Sequence, residues 1–325
     1  MIDVRAARSD PDTWRAALSR KGAREDFDAL MEADRRWLEL VPRVDELRSR
    51  TKLKGKPTPE QVEELKDVKA ELQRLQGELA NAEGDRRELL ARVPNPPDGS
   101  APEGQTEDDA EEVRRVGEPP KFDFEPRDHM DLVGGERGID TERGARLSGS
   151  RFAYRTGAVA LLELALYRFA LDRLTAAGFV PVLPPVLVRE EAMYGTGFLP
   201  TEEVNIYRVE RDDLYLTGTS EVALAALHMG EILEAESLPR RYAGYSTCFR
   251  PEAGAAGKDT RGMFRVHQFD KVEMFVFCPP ESSASEHERI LELEEGLVQA
   301  LGLCRERRGR QAARVVVSEQ VVGAR

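Results

Sequence analysis

Hydrophobic residues in the first hundred positions repeat with the spacing of helices that pack side by side. Residues 9–12 (Ser-Asp-Pro-Asp) combine a capping residue, an early proline and acids, which predicts the start of a helix. Two later stretches carry apolar residues at alternating intervals of three and four, the heptad spacing of a coiled coil. These positions are Leu30, Ala33, Trp37, Leu40, Val44 and Leu47, and then Leu65, Val68, Leu72, Leu75, Leu79, Ala82, Leu89 and Val93, with Arg86 at one further seam position. The polar, glycine- and proline-containing segment between them predicts a turn, so we expect an antiparallel two-helix coiled coil.

The pattern changes after residue 97. Residues 98–120 are rich in acids, glycine and proline and poor in apolar residues, which is typical of a linker. Residues 157–177 then repeat apolar side chains at helical spacing, and the apolar run 179–188 predicts a buried strand. We therefore divide the chain into a helical arm (1–97), an acidic linker (98–120), a mixed helix and strand part (121–303) and an arginine-rich tail (304–325).

Residues 245–277 predict an antiparallel hairpin with a long tip. Apolar and polar side chains alternate in its second arm, so one face carries cations, an acid and aromatic rings. The alternation places Arg250 near Glu273 on that face, with Phe269 between them. A guanidinium, a flat ring and a carboxylate suit the phosphate, the base and the amine of a nucleotide plus an ammonium compound. A solvated amphipathic hairpin with cross-strand ion pairs fits the same pattern.

A second candidate segment, Thr-Gly-Thr-Ser-Glu at positions 217–221, follows the short strand predicted at 214–216 and opens an apolar helix. One interpretation is a helix N-terminus, in which Thr219 or Ser220 caps the helix and Glu221 lies favourably beside the helix dipole. The other interpretation is a small-molecule pocket, and the two are compatible.

Charge and composition limit the classes of partner. The 325 residues carry a formal net charge of −12, so nucleic-acid binding needs a local basic patch. Such a patch occurs at the predicted turn of the coiled coil and comprises Arg48, Arg50, Lys52, Lys54 and Lys56. It fits either a grip on RNA phosphates or an ordinary solvated turn.

The remaining composition points to the cytoplasm. The three cysteines lack paired spacing, which argues against a disulfide framework and a zinc site. The N-terminus lacks the apolar run of a secretory signal, and we expect no membrane span. His129 has no second metal ligand at a fitting offset, so we expect it to start a helix or to pack, and we identify no metal ligand.

The hairpin resembles motif 2 of the class II aminoacyl-tRNA synthetases. The text C-F-R-P-E-A-G-A-A-G-K-D-T-R-G-M-F-R-V-H-Q-F-D-K-V-E-M, together with T-G-T-S-E, is similar to the seryl-tRNA synthetase family, and the similarity extends from Met1 to about Leu303. The helix, strand and prolines of 157–185 more loosely resemble motif 1, which forms the dimer interface in that family. The resemblance implies an α+β fold, in which the coiled coil precedes an antiparallel sheet flanked by helices.

The resemblance also implies a reaction and a set of residues. In the family, L-serine is activated with ATP and Mg²⁺ to seryl-adenylate and is transferred to the 3′ end of tRNA(Ser), by a homodimer whose coiled coil contacts the tRNA. Arg250 would hold the α-phosphate and the serine carboxylate, and Glu273 would engage serine. Serine would also contact Thr219, Ser220 and Glu221, and ATP would contact Arg250, Pro251, Glu252, Arg265, Val266, Phe269 and Lys271, with Arg265 and Lys271 on the phosphate side.

The chain departs from the family pattern after Leu303. The family continues with further strands and with motif 3, whereas residues 304–325 form an arginine-rich tail that matches neither. A truncated or frame-shifted reading of the gene would produce such a tail, and the expected magnesium ligand would belong to the missing part. We therefore expect impaired activation of serine by this chain, an expectation that robust ATP–pyrophosphate exchange would contradict.

Two alternatives remain at this stage. A non-catalytic tRNA-binding module or inactive fragment would keep the arm with a broken site. A ligase that loads a carrier protein would lack the long arm, so the two heptad stretches argue against it.

Overall fold

The structure, a computed structural model, describes residues 2–52, 58–104, 109, 111–118, 121–200, 203–252, 262–303 and 305–308 of the chain. It divides into two compact units, Met1–Glu111 and Glu112–Arg325. The division falls inside the predicted linker. Among the described helices, none combines the length and the apolar character needed to cross a membrane.

The first unit is helical. Its helices are α1 (Val4–Ser9), α2 (Pro11–Ser19), α3 (Arg24–Arg50) and α4 (Pro59–Arg92). As predicted, α2 has a capping residue followed by proline; the cap is Asp10, whose carboxylate accepts the Thr13 N–H at 3.3 Å. Helix α4 begins with a capping box, in which the Thr58 and Gln61 side chains each accept the other residue's backbone N–H.

The predicted coiled coil is confirmed. Helices α3 and α4 pack through buried heptad positions, Leu40, Val44, Leu75 and Ala82, with Trp37, Leu47, Leu72 and Leu79 partly buried around them. A second apolar cluster adds the first two helices to the base of the pair and comprises Ile2, Val4, Ala7, Leu18, Ala23, Phe27, Leu30 and Val93. The heptad pattern includes Leu30 and Val93 of this cluster, but its N-terminal members lie outside the repeat and were not predicted.

A buried charge also lies in the seam. The side chain of Asp34 is 0% exposed, and its carboxylate contacts Arg86 Nε at 2.6 Å and Arg8 Nε at 3.0 Å. The Arg86 guanidinium lies 4.9 Å from the centre of the Trp37 ring. Arginine at an apolar seam position is therefore accommodated by an ion pair and an aromatic ring, and α1, α3 and α4 are tied together by one carboxylate.

The second unit contains the remaining elements. In chain order they are β1 (Glu112–Val116), α5 (His129–Val133), β2 (Ile139–Asp140), α6 (Thr141–Ser148), β3 (Tyr154–Arg155), α7 (Gly157–Ala176), β4 (Val180–Val182), β5 (Leu187–Val188), α8 (Glu190–Gly195), β6 (Tyr207–Val209), β7 (Leu214–Leu216), α9 (Glu221–Ala225), β8 (Arg240–Phe249), β9 (Gln268–Phe277), α10 (Ser283–Ala300) and β10 (Arg305–Arg308). Helix α7 and strand β7 match the predicted segments, and α9 starts where a helix was predicted.

The predicted hairpin is the centre of this unit. Strands β8 and β9 pair antiparallel over ten residues each, and β4 adds to β8 in parallel. One face of this sheet packs on α7 and α10 around Leu174, Phe179 and Ala243. Strands β5, β7 and β6 form a second antiparallel sheet whose core includes Met193, Tyr215 and Val222. The mixed α+β architecture with helices on the sheet agrees with the predicted fold class.

The run 179–188 and its preceding helix are less buried than predicted. Val180 is 55% exposed and Leu183 is 79% exposed, and Leu174 is the buried residue of α7. The apolar sequence of α7 predicts that other parts of the protein pack on this helix. It does not predict which side of the helix the described sheet covers. In addition, β1 pairs antiparallel with β10, although the sequence predicted no strand in either segment.

Candidate active site

The register of β8 and β9 places the candidate residues on one face. Gly244 pairs with Glu273, Ser246 with Lys271 and Cys248 with Phe269. At the end of the ladder, the Arg250 N–H donates to the His267 carbonyl oxygen at 2.9 Å. Because side chains alternate along paired strands, this register gives Glu273, Lys271 and Phe269 a common face, as the sequence predicted.

Glu273 is the most heavily contacted group of the site. Its Oε2 atom accepts hydrogen bonds from Thr219 Oγ1 at 2.7 Å, Ser220 Oγ at 2.8 Å and the Glu221 N–H at 2.9 Å. Lys271 Nζ lies 2.9 Å from the same oxygen and also donates to Thr219 Oγ1. Burial acts to raise the pKa of the Glu273 carboxyl, but the Lys271 ammonium and the hydroxyl hydrogen bonds outweigh it and hold that pKa below its ordinary value. The carboxylate is therefore ionised at neutral pH.

This contact changes the interpretation of the segment 217–221. Ser220 is the N-cap residue of α9, yet its side chain makes no capping hydrogen bond and donates to Glu273. Of the two predicted caps, Ser220 does not cap the helix, whereas Thr219 accepts its first N–H. The first helical N–H, that of Glu221, is instead shared by Thr219 Oγ1 at 3.2 Å and the Glu273 carboxylate. The two hydroxyls donate to the Glu273 carboxylate on β9, because a charge removed from water must be hydrogen-bonded.

A glycine makes the close approach of α9 possible. A Cβ atom on Gly244 would lie 2.8 Å from Leu224 Cδ1, and Leu224 is 1% exposed. A side chain opposite Glu273 on β8 would therefore collide with the buried Leu224 side chain, which would have to move. The contact between Gly244 and Leu224 was not predicted, because a glycine in a strand carries no signal of what approaches it.

Arg250 occupies the other end of the same segment. Its Nε donates to the Gly218 carbonyl oxygen at 3.1 Å, and its guanidinium lies 5.1 Å from the centre of the Phe269 ring. Gly218 and Thr219 are adjacent, so Arg250 and Glu273 contact neighbouring residues of one segment. The two groups thus border a common site, whereas widely separated environments would have contradicted the predicted pairing.

The other predicted residues lie next to the described ends of the connection between β8 and β9. Arg265 Nη1 lies 3.3 Å from Glu252 Oε2, and Pro251 and Val266 are partly buried. Glu252 itself has a φ of 52°, an uncommon backbone conformation for a residue other than glycine. Lys271 was predicted to lie with Arg265 on the phosphate side. It instead contacts Thr219 and Glu273, at the other end of the site.

Two histidines in contact with this region had no predicted role in the site. His267 Nδ1 is 2.8 Å from the Arg250 carbonyl oxygen, and His129 Nε2 is 3.0 Å from the Met263 nitrogen. His129 is the first residue of α5, as expected from the sequence. Its contact with Met263 spans 134 residues, and no periodic pattern predicts such a pairing.

The predicted RNA-binding cluster is described only in part. Arg48 pairs with Asp45 at 3.3 Å, Arg50 pairs with Glu64 at 3.1 Å, and Lys52 is exposed. Lys54 and Lys56 lie outside the described residues. The two arginines therefore already have acidic neighbours on the exposed surface, where such pairs contribute little to stability.

The described residues offer no ready site for a metal ion. Among them, no group of three histidine, cysteine or carboxylate side chains could hold a metal. The two glutamates nearest Arg250 and Phe269 are already engaged, Glu252 with Arg265 and Glu273 with Lys271. The described residues therefore do not fit a magnesium ion held by side chains alone.

Comparison with known families gives matches in both units. Residues 1–97 match the family description "Seryl-tRNA synthetase N-terminal domain". Residues 206–320 match "tRNA synthetase class II core domain (G, H, P, S and T)". The second match includes α9, β8 and β9, and therefore the whole set of contacts around Glu273.

Individual relatives agree with these matches. A serine–tRNA ligase of Acidothermus cellulolyticus is 50% identical over 314 residues, which are 93% of this chain and 74% of the relative. A seryl-tRNA synthetase of Pyrococcus horikoshii, solved in complex with ATP, superposes with a TM-score of 0.84 at 35% identity and covers 94% of this chain and 76% of that protein. A cytoplasmic serine–tRNA ligase of Naegleria fowleri, in complex with AMP, gives 0.79 at 30% identity, with 91% and 70% coverage. The chain therefore belongs to the seryl-tRNA synthetase family of class II aminoacyl-tRNA synthetases.

Proposed function

We propose that this site binds L-serine and ATP, forms seryl-adenylate, and passes the seryl group to the 3′ end of tRNA(Ser). The observation that carries the proposal is the ionised Glu273 carboxylate, held by two hydroxyls and a backbone N–H beside Arg250. In this structure the carboxylate already contacts an ammonium, that of Lys271. The α-ammonium of serine has the same charge and hydrogen-bonding capacity.

The chemistry requires charge neutralisation more than covalent assistance. A serine carboxylate oxygen attacks the α-phosphorus, the bond from that phosphorus to the bridging oxygen breaks, and pyrophosphate leaves. A ribose hydroxyl of the tRNA then attacks the seryl carbonyl carbon and AMP leaves. Arg250 would contact the serine carboxylate and the α-phosphate, bringing the two anions together, while Glu273 fixes the amine.

The remaining residues would form the nucleotide end. Phe269 offers a flat ring for the base. The neighbours of the two arginines in the chain would line the rest of this end: Pro251 and Glu252 follow Arg250, and Val266 follows Arg265. Arg265 would approach the phosphates once ATP competes for its contact with Glu252. Thr219, Ser220 and Glu221 would surround serine, with Lys271 released from Glu273 toward the phosphates. Magnesium would be carried by the ATP phosphates, and no step here depends on a protein ligand to it.

Binding of an uncleavable mimic tests this function without requiring turnover. Calorimetry with 5′-O-[N-(L-seryl)sulfamoyl]adenosine should give tight 1:1 binding per chain. The alanyl mimic should bind more weakly because it leaves polar groups of the pocket unpaired, and the threonyl mimic because of its additional methyl group. Equal affinity for the three mimics, or the absence of binding, would contradict a serine site.

The chain would comprise an arm (1–97), a linker (98–120), a catalytic domain (121–303) and a separate tail (304–325).

The arm would contact the tRNA through its basic turn. Replacing Lys52, Lys54 and Lys56 by glutamine should weaken tRNA(Ser) binding. It should also reduce the slope of log affinity against log salt by about one for each lysine that contacts a phosphate. Filter binding at several salt concentrations measures both, with Lys121→Gln outside the arm as control. An unchanged slope would exclude the turn as the contact.

We also infer a homodimer formed through α7. Its leucines 161, 162 and 164 are 59–69% exposed on one helix, and Val180 and Leu183, which follow the helix in the chain, are also exposed. Leu162→Glu should therefore shift the chain to monomer in sedimentation velocity, whereas Val62→Glu, at an exposed valine on the arm, should not. A wild-type monomer at micromolar concentration would contradict the proposal.

Membership in this family supports a cytoplasmic location.

A further inference from the structure

Two histidines contact the described ends of the segment that connects β8 to β9. His267 immediately precedes β9, and His129 starts α5. Neither has a role in the function proposed above. Both are directed at backbone atoms, and their partners lie at positions 250 and 263 on either side of this connection.

His267 is joined to Arg250 twice. The Arg250 N–H donates to the His267 carbonyl oxygen at 2.9 Å, and His267 Nδ1 lies 2.8 Å from the Arg250 carbonyl oxygen. A carbonyl oxygen only accepts, so Nδ1 must carry a proton. The Phe152 ring lies against the imidazole with 5.3 Å between centres, which holds the ring in this orientation. Arg250 is therefore fixed by both of its backbone polar groups.

His129 holds the other end. Its Nε2 accepts the Met263 N–H at 3.0 Å, so this nitrogen carries no proton, and the Phe264 ring packs edge-on at 4.8 Å. The neighbouring Gly262 has a φ of +80°, and a Cβ there would lie 2.1 Å from His129 Nε2. Because a side chain at 262 would collide with the imidazole, the glycine and the histidine form one fitted contact.

We propose that His129 and His267 are positioning residues that clamp the two described ends of this connection and thereby hold the Arg250 guanidinium beside Gly218 and Phe269. The clamp does not touch substrate. It rests on the proposed function only for the role of Arg250. An arginine that must meet two anions gains from a backbone held in place before the substrate arrives.

Hydrogen exchange of the full chain, followed by mass spectrometry with residue resolution, tests the clamp without any ligand. Loss of one backbone-directed hydrogen bond should speed exchange of the Met263 amide about five-fold in His129→Ala. His129→Gln should restore the wild-type rate, because the glutamine amide oxygen can reach the place of Nε2 and accept. His287→Ala on α10 is the matched control and should leave this amide unchanged.

A second set of variants tests the contact between His267 and Arg250. His267→Ala removes the hydrogen bond to the Arg250 carbonyl oxygen and keeps the backbone bond from the Arg250 N–H. Because this pair of residues is then joined once instead of twice, exchange of the Arg250 amide should speed up and ATP binding should weaken, each about five-fold. His267→Asn, whose amide N–H can replace Nδ1–H, should recover most of both. Thermal unfolding shows whether each alanine variant is folded. If one is not, the exchange rates of His129→Gln and His267→Asn test the proposal.

Wild-type exchange rates in both alanine variants would overturn the clamp. So would Gln and Asn variants that exchange as fast as the alanine variants, since the hydrogen bonds would then not be what holds the segment. If ATP and the seryl mimic do not bind the wild-type chain, the proposed function fails, yet the exchange rates still decide the clamp.

Discussion

Glu273→Gln is expected to weaken binding of 5′-O-[N-(L-seryl)sulfamoyl]adenosine by about 30-fold, because a hydrogen-bonded charge pair with the ligand ammonium becomes a neutral contact. The lowered pKa of this carboxyl means that the wild-type group is charged at neutral pH. Glutamine keeps the size and an acceptor oxygen for Thr219 and Ser220. The loss should therefore reflect the charge more than a change in packing. Calorimetry at pH 7.5 measures it.

The matched control is Glu286→Gln. Glu286 is a glutamate of the same unit, paired with Arg241, and its carboxyl pKa is also lowered, chiefly by the hydrogen bond from that arginine. It lies on α10, away from Thr219 and Arg250, so affinity should be unchanged. A mimic that lacks the seryl group should bind Glu273→Gln and the wild type alike. Equal losses with both mimics would show that glutamine distorts the nucleotide end, and would contradict the assignment of Glu273 to the amine.

Asp34→Ala is expected to lower the unfolding free energy of the unit Met1–Glu111 by about 3 kcal/mol, because it leaves two arginines without their common carboxylate. Arg8 and Arg86 are 36% and 24% exposed, so water offsets part of the loss, and we place the effect at the low end for a broken buried pair. Both tryptophans of the chain, Trp14 and Trp37, lie in this unit. Urea unfolding followed by tryptophan fluorescence therefore reports on it.

Asp45→Ala is the control for this prediction. Asp45 is on the same helix, is 63% exposed and pairs with Arg48 one turn away. Such surface pairs contribute roughly 0–1 kcal/mol, so its removal should barely move the urea midpoint. Asp34→Asn should fall between the two, since the amide oxygen can still accept from one arginine. A midpoint for Asp34→Ala equal to that of Asp45→Ala would show that the buried carboxylate does not hold α1, α3 and α4 together.

Two features could be predicted because their contacts repeat along the chain. The heptad spacing identified the packing positions of α3 and α4, including Leu40, Val44 and Leu75, since neighbours along a helix determine which face is apolar. The alternation after residue 265 identified the face of β9 that carries Phe269 and Glu273, since a strand has a period of two. Both patterns are local, so each can be recognised in the sequence without knowledge of the other unit.

The contacts that complete the site could not be predicted in this way. Thr219 and Glu273 are 54 positions apart, and their hydrogen bond exists because Gly244 lets Leu224 and α9 approach the hairpin. Lys271 was assigned to the phosphate side, yet it pairs with Glu273. Alternation gives the face on which a side chain lies, but the direction that a long, flexible side chain takes along that face depends on which charges surround it.

The sequence by itself determined the heptad arm, the hairpin and its polar face, because periodic burial is encoded in the order of neighbouring residues. Tertiary structure alone decided that Asp34 neutralises Arg86 in the seam, that α7 leaves its leucines exposed, and that Ser220 serves Glu273 instead of capping its own helix. The physical reason is the same in each case. A buried charge or an apolar face must find a partner, and that partner is supplied by whichever element the fold brings near it.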